Sequence, residues 1–208
     1  MPKVLTEAEV AGFRDRLCEA ATRMFAARGR EAFTMRELAS ELGVSAMTPY
    51  RYFRDKDEIL AAVRARAFTR FAEALEAGMA TPGDALTKAA AVFEAYVGFA
   101  FGEPASYRLM FDLSQPNEDD YPELVEATKR ARATMTDYVR ALVEAGVLEG
   151  DPDLMGYVFW ASLHGAVVLQ LAGKLPPQYD FRTITLESFR ALSQSYRRDF
   201  RKQPTNSG

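Results

Sequence analysis

Hydrophobic positions recur along this chain at three- and four-residue spacing, the period of one face of an α-helix. Val10, Phe13, Leu17, Ala20, Met24 and Phe25 predict a first helix from about Glu7 to Arg28, after a loose arm over residues 1–6. Ile59, Leu60, Val63, Ala67, Phe71 and Leu75 carry the same period through one long helix from Lys56 to about Met79. Past Thr81-Pro82-Gly83, further periodic segments predict helices over 84–101, 104–113, 121–145, 152–172 and 181–200. The acidic loop 114–120, Gly146 and Lys174-Leu175-Pro176-Pro177 punctuate them, and a basic, polar tail over 201–208 is expected to be disordered. No period-2 run bounded by hairpin turns competes, so the expected class is all-α, with about nine helices.

Residues 34–60, TMRELASELGVSAMTPYRYFRDKDEIL, hold the sharpest local signals. Thr34 and Glu37 have the spacing of a capping box, in which hydroxyl and carboxylate each satisfy the other residue's backbone N–H. Gly43 can take the positive φ at which a short helix ends. Ser45 is a good N-cap for the next helix. Helix, four-residue turn with glycine, helix is the spacing of a DNA-binding helix-turn-helix. Pro49 lacks an N–H and is tolerated only in a first helical turn, so the recognition helix should begin near Ala46 to Thr48 and be short. Asp55 and Glu58 offer a second capping box at the start of the long helix.

These pieces carry a resemblance. Ala20-Ala21, Phe25 and Gly29 of the first helix, FTMRELASELGVS, YRYF and Lys56-x-Glu58-Ile59-Leu60 stand in order between Phe13 and Leu60. That stretch resembles the DNA-binding domain of the TetR (tetracycline-repressor-like) family; Pro49 departs from it, standing where the family usually carries an apolar residue. Trp160-x-x-x-His164-Gly165, with Pro104-x-x-Tyr107-Arg108-Leu109-Met110-Phe111, is similar to one group of the family's C-terminal domains. The resemblance implies a helix-turn-helix domain over 7–55 and a ligand-binding and dimerisation bundle over 56–200, with the helix from about 56 to 79 as connector.

Charge totals alone would not have suggested DNA, since the net charge is −3 and residues 1–60 hold as many acids as bases. Position does, because Arg36, Arg51, Arg54 and Lys56 cluster around the helix-turn-helix. Lys56 has the wrong charge for a helix N-terminus unless an anion such as a DNA phosphate meets it there. Tyr50 and Tyr52 can donate hydroxyls to phosphates or serve as ordinary core aromatics. Arg51 can pair with a guanine edge, while Ala46, Met47 and Thr48 suit thymine methyls. The candidate DNA contacts are therefore Thr34, Met35, Arg36, Ser45, Ala46, Met47, Thr48, Tyr50, Arg51, Tyr52 and Lys56.

The single Cys18 excludes an internal disulfide framework, suits a cytoplasmic setting, and reads as a buried structural thiol rather than a redox sensor. Met1 to Leu17 has no apolar run of a signal peptide, and Tyr157 to Ala172 looks too short to span a bilayer. The lone histidine, His164, reads first as a core group and next as a polar ligand contact; no second ligand at metal spacing accompanies it. Phe93, Tyr96, Val97, Tyr107, Met110, Phe111, Met135, Tyr138, Trp160 and His164 would converge if the later helices form a bundle. A subset of them is the candidate lining of a pocket for an uncharged apolar or aromatic molecule.

Ala161, Gly165, Val168 and Ala172 form a small-residue row on the eighth helix, beside Trp160, His164, Val167 and Leu171. A helix apolar nearly all round must be buried on both sides. With Phe181, Ile184, Phe189 and Leu192 of the ninth helix it predicts a two-fold homodimer interface, which would pair two reading heads on a palindromic operator. The reading is a ligand-responsive repressor that binds double-stranded DNA, needs no cofactor or metal and is not an enzyme. Its rivals are a helical enzyme or carrier with purely structural N-terminal helices, and an adaptor that lost DNA binding. No nucleophile–base pair or glycine-rich phosphate loop supports the enzyme.

Overall fold

Capping residues set most of the helix starts. In the computed structural model, which describes residues 6–29, 34–112 and 117–197, α1 spans Glu7–Arg28 and opens on a capping box of Thr6 and Glu9. Thr6 is therefore an N-cap and not part of a loose arm. α2 (Met35–Glu41) opens on the Thr34–Glu37 box, with Glu37 N–H on the Thr34 hydroxyl at 3.2 Å and Thr34 N–H on the carboxylate at 3.0 Å. Six further α-helices follow: α3 Lys56–Met79, α4 Ala85–Gly102, α5 Pro104–Met110, α6 Pro122–Glu144, α7 Pro152–Leu171 and α8 Phe181–Ser195. Three-residue 3-10 turns at Pro49–Arg51 and Glu118–Asp120 complete the regular structure, and no strand occurs among the described residues.

The expected third helix is the main departure. Thr48 N–H donates to Ser45 O at 2.8 Å and Arg51 N–H to Thr48 O at 3.1 Å, so the chain advances in i→i+3 turns. Proline at 49 has no N–H to give Ser45 O the α-helical bond, and the segment tightens into a 3-10 turn instead. The box expected at Asp55 and Glu58 is also offset. Asp55 accepts from Glu58 N–H at 2.8 Å, while the Glu58 carboxylate accepts from the N–H of Arg54 at 2.6 Å. The expectations for residues 1–5 and 201–208, and the ends of the ninth helix at 198–200 and of the acidic loop at 114–116, lie outside the described residues.

The chain divides into two compact units, Met1–Ala72 with Gly102–Ala131, and Glu73–Phe101 with Arg132–Gly208. The first has a core of Leu17, Ala21, Phe25, Leu38, Phe53, Ile59 and Leu60, joined by Leu109 of α5. Its ion pairs include Arg66–Asp15 at 2.9 Å and Arg70–Glu103 at 2.6 Å. Cys18 lies in this core, and burial pushes its thiol pKa up. The second unit packs around Val139, Leu142, Leu148, Met155 and Phe159. α6 and α7 approach closely at Gly156 of α7, where a Cβ would stand 2.7 Å from Met135 O.

α7 corrects one expectation from the sequence. It starts at Pro152, and at 20 residues, with a mean hydropathy of 1.4 over an 18-residue stretch, it is long and apolar enough to cross a membrane by length and composition alone. Only 33% of that stretch is buried within the single chain. Leu154, Tyr157, Val168 and Leu169 of α7 stay exposed, as does Leu186 of α8.

Candidate nucleic-acid interface and apolar cavity

In the first unit, α2 and the turn after it present a small surface. Gly43 takes φ 65°, and Val44 N–H returns to Ala39 O at 2.9 Å, a glycine-dependent helix stop that turns the chain back. Pro49 is buried, and its carbonyl accepts from both Tyr52 and Phe53 N–H at 3.0 Å. It thus keeps an apolar group in the core while limiting the helix. The side chains that remain outside are Thr34, Arg36, Ser45, Ala46, Met47, Tyr50 and Arg51, with Met47 67% and Tyr50 48% exposed. Thr48 and Lys56 are half-buried.

Two of the candidate contacts sit inward. Met35 is 6% exposed and packs in the core beneath α2, offering no surface to DNA. The Tyr52 ring is half-buried against Phe13, centroids 4.8 Å apart. Arg14 of α1, which the sequence pattern did not single out, braces this end of the turn. Its guanidinium donates to Tyr52 O at 3.0 Å and lies 4.4 Å from the Phe53 ring centroid. A basic residue one after the apolar Phe13 was the only signal in the sequence. At the same edge, burial raises the Tyr121 phenol pKa, helped by Asp55 and Asp57.

The second unit holds a cavity of about 440 Å³. Phe93 and Tyr96 of α4, Met135 and Tyr138 of α6 and Trp160 of α7 line it, as five of the candidate ligand residues. Leu75 of α3, Phe159 and Leu163 of α7, and Leu186, Phe189 and Ser193 of α8 line it too, with Arg197 just beyond. Trp160 Nε1 donates to the Tyr96 hydroxyl at 3.1 Å, and burial holds the Tyr138 phenol far above its ordinary range, so it stays protonated. Val97 and His164 are half-buried and do not line the cavity. His164 lies 5.7 Å from the Trp160 ring, and burial lowers its pKa. Tyr107, Met110 and Phe111 belong to the first unit, where Phe111 packs edge-on against Phe68. Among the described residues no three His, Cys, Asp or Glu side chains come together as a metal site.

Two family models match this chain. Residues 17–63 fit the one described as bacterial regulatory proteins, tetR family, and residues 89–196 the tetracyclin repressor-like C-terminal domain. The second alone covers more than half of the sequence. The chain belongs to the TetR family. Members and named relatives are transcriptional regulators, not enzymes. Over 130 residues this TetR protein is 31% identical to the HTH-type transcriptional activator FasR of Mycolicibacterium smegmatis, across 62% of this chain and 58% of that one. The match therefore spans less than two thirds of that relative's length. The solved structure of a protein with unknown function from Rhodococcus sp. RHA1 has a TM-score of 0.76 at 26% identity, over 89% of this chain and 95% of the other. The fatty acid degradation regulator FadR from Bacillus halodurans shares the fold alone, with TM-score 0.70 at 19% identity over 88% and 99% of the two chains.

Proposed function

We propose that this TetR protein is a cytoplasmic, homodimeric repressor that binds a palindromic DNA operator and is released from it by a small apolar molecule. The observation that carries the reading is α3. One uninterrupted helix supplies Lys56 at its first residue, directly after the exposed Tyr50-Arg51 turn, and Leu75 to the cavity lining. A ligand that displaces Leu75 acts on the helix that begins at the DNA-facing lysine. Only differential affinity can drive such release. A hundredfold loss of DNA affinity requires the ligand to bind the DNA-incompetent form about 2.7 kcal/mol more tightly.

Arg36, Tyr50, Arg51 and Lys56 serve in this reading as phosphate contacts, and Met47 and Arg51 as the side chains nearest the bases. The dimer forms through α7 and α8, chiefly along the exposed Leu154, Tyr157, Val168 and Leu169. Phe181 and Phe189 contribute less, because their rings pack within the chain on Phe101 at 5.0 Å and on Phe159 at 5.3 Å.

Fluorescence anisotropy on DNA from the protein's own upstream region tests the proposal. Several phosphate contacts per protomer give a slope of log K against log[salt] of roughly −4 to −8 for the dimer, at about −0.9 per neutralised phosphate. Lys56→Ala should weaken all sequences alike and flatten the slope, by roughly one for each phosphate left without its lysine. A slope near zero rejects DNA binding. Trp160→Ala should abolish the ligand response at nearly unchanged operator affinity.

A further inference from the structure

The polarity of the cavity is one-sided along α8. Leu186, Phe189 and Ser193 line it from one face of α8, and Arg197, two residues past the helix end at Ser195, lines it as well, so the lining runs from apolar through hydroxyl to cation. Apart from Arg197, the cavity's ionisable lining groups are the two phenols of Tyr96 and Tyr138, and no Asp, Glu or Lys lines it among the described residues. Three other arginines of this unit are already held in ion pairs. Arg140 holds Asp153 at 2.8 Å, Arg182 holds Glu94 at 3.3 Å, and Arg190 pairs with Glu187. Arg197 is exposed and has no such partner among the described residues.

We propose that the cavity takes a linear amphiphile whose apolar chain lies among Phe93, Phe159 and Trp160 and whose single carboxylate meets Arg197 at the open end. The inference rests on the reading of this cavity as the ligand pocket, and gives that ligand a charge and a direction. A cationic head finds no counter-charge there. A planar carboxylate matches the guanidinium fork, which donates two parallel hydrogen bonds. Leu186 lies nine residues before the helix end at Ser195, about 14 Å at the helical rise of about 1.5 Å per residue, and Arg197 stands two residues beyond that end. An extended hydrocarbon advances roughly 1.3 Å per carbon, given a bond of about 1.5 Å, so a chain of roughly twelve carbons spans that stretch of α8.

The chain's one tryptophan lines the cavity, so its fluorescence reports occupancy directly. Dodecanoate and dodecanol, identical but for the head, are titrated into the full-length protein. Dodecanoate should bind about fivefold more tightly, the scale of a solvent-exposed charge pair, and the advantage should shrink as salt is added. Arg197→Gln should remove that advantage by weakening dodecanoate alone, and Arg197→Lys should restore part of it. Equal binding of the two probes to the parent protein, or an equal loss of both in Arg197→Gln, overturns the inference while leaving the apolar pocket in place. If neither probe changes Trp160 fluorescence, the pocket reading itself falls and the inference with it.

Discussion

Two glycines on α7 show how differently the same residue can act. At Gly156 a Cβ would stand 2.7 Å from Met135 O and 2.9 Å from Thr136 Cγ2, so the bare backbone is what lets α6 and α7 approach. The nearest of these atoms is backbone and cannot swing away. Gly156→Ala should therefore destabilise the fold by about 1–3 kcal/mol, the usual cost of overpacking, despite alanine's better helix propensity. A urea titration with unchanged m-value and a lower midpoint would show it; an unchanged midpoint would mean the helices part at no cost. Gly165 has nothing within 4 Å of its would-be Cβ. Gly165 belongs to the small-residue row read as a dimer interface, and a Cβ there would crowd nothing of its own chain.

Among the elements, α4 and α8 depend on single carboxylates at their starts. Asp84 accepts from Thr87 N–H at 2.8 Å and from its hydroxyl at 2.7 Å, and Asp180 accepts from Thr183 N–H at 2.6 Å. Hydrogen bonds from Thr87 lower the Asp84 pKa from 3.8, and those from Thr183 lower Asp180 likewise. A carboxyl group whose folded pKa lies below its unfolded one stabilises fully above the unfolded value. That contribution fades as pH falls below about 3.8 through the folded values. Asparagine caps nearly as well and does not titrate there. The double variant Asp84→Asn, Asp180→Asn should then match the parent at about pH 7 and lose less stability between about pH 4 and pH 2. Chemical denaturation across that range checks it, and parallel curves would remove the two caps as the source. Glu103 adds to the same acid sensitivity: burial raises its pKa, but the hydrogen bond and charge of Arg70 outweigh that and leave it lowered.

For the whole molecule, the question is what covers α7. Its exposed Leu154, Tyr157, Val168 and Leu169 are unusual for a helix so apolar, and a second copy of the chain is the proposed cover. The open space at Gly165 makes the test clean. A Cβ at position 165 meets nothing within 4 Å in its own chain, so Gly165→Ala serves as the folding control and Gly165→Leu adds the bulk that a partner helix would feel. The leucine variant should fold with parent-like helicity yet sediment as a monomer at micromolar concentration, and its operator affinity should fall because one head reads only half a site. A leucine variant that remains fully dimeric would move the interface off this part of α7.

What the sequence determined by itself is what short-range chemistry decides. Thr34 with Glu37 and Asp151 with Pro152 place helix starts because a cap acts over three residues, and periodicity carried α1 and α3 to their observed ends. The same local logic, in the capping box of Thr6 and Glu9, is what fixes the start of α1 at Glu7. It also foresaw a late, short reading segment from Pro49, though not its 3-10 form. Tertiary structure decided which apolar faces meet. Periodicity says that Tyr96, Tyr107, Phe111 and Trp160 are inward but not toward what. Tyr96 and Trp160 share a cavity and a hydrogen bond, while Tyr107 and Phe111 pack in the other unit. Met35 is inward by the same rule, although its place in the motif suggested a DNA contact. Arg197 shows the limit most clearly, because a cation in a basic C-terminal stretch has no meaning until the chain just past α8 is known to line a cavity.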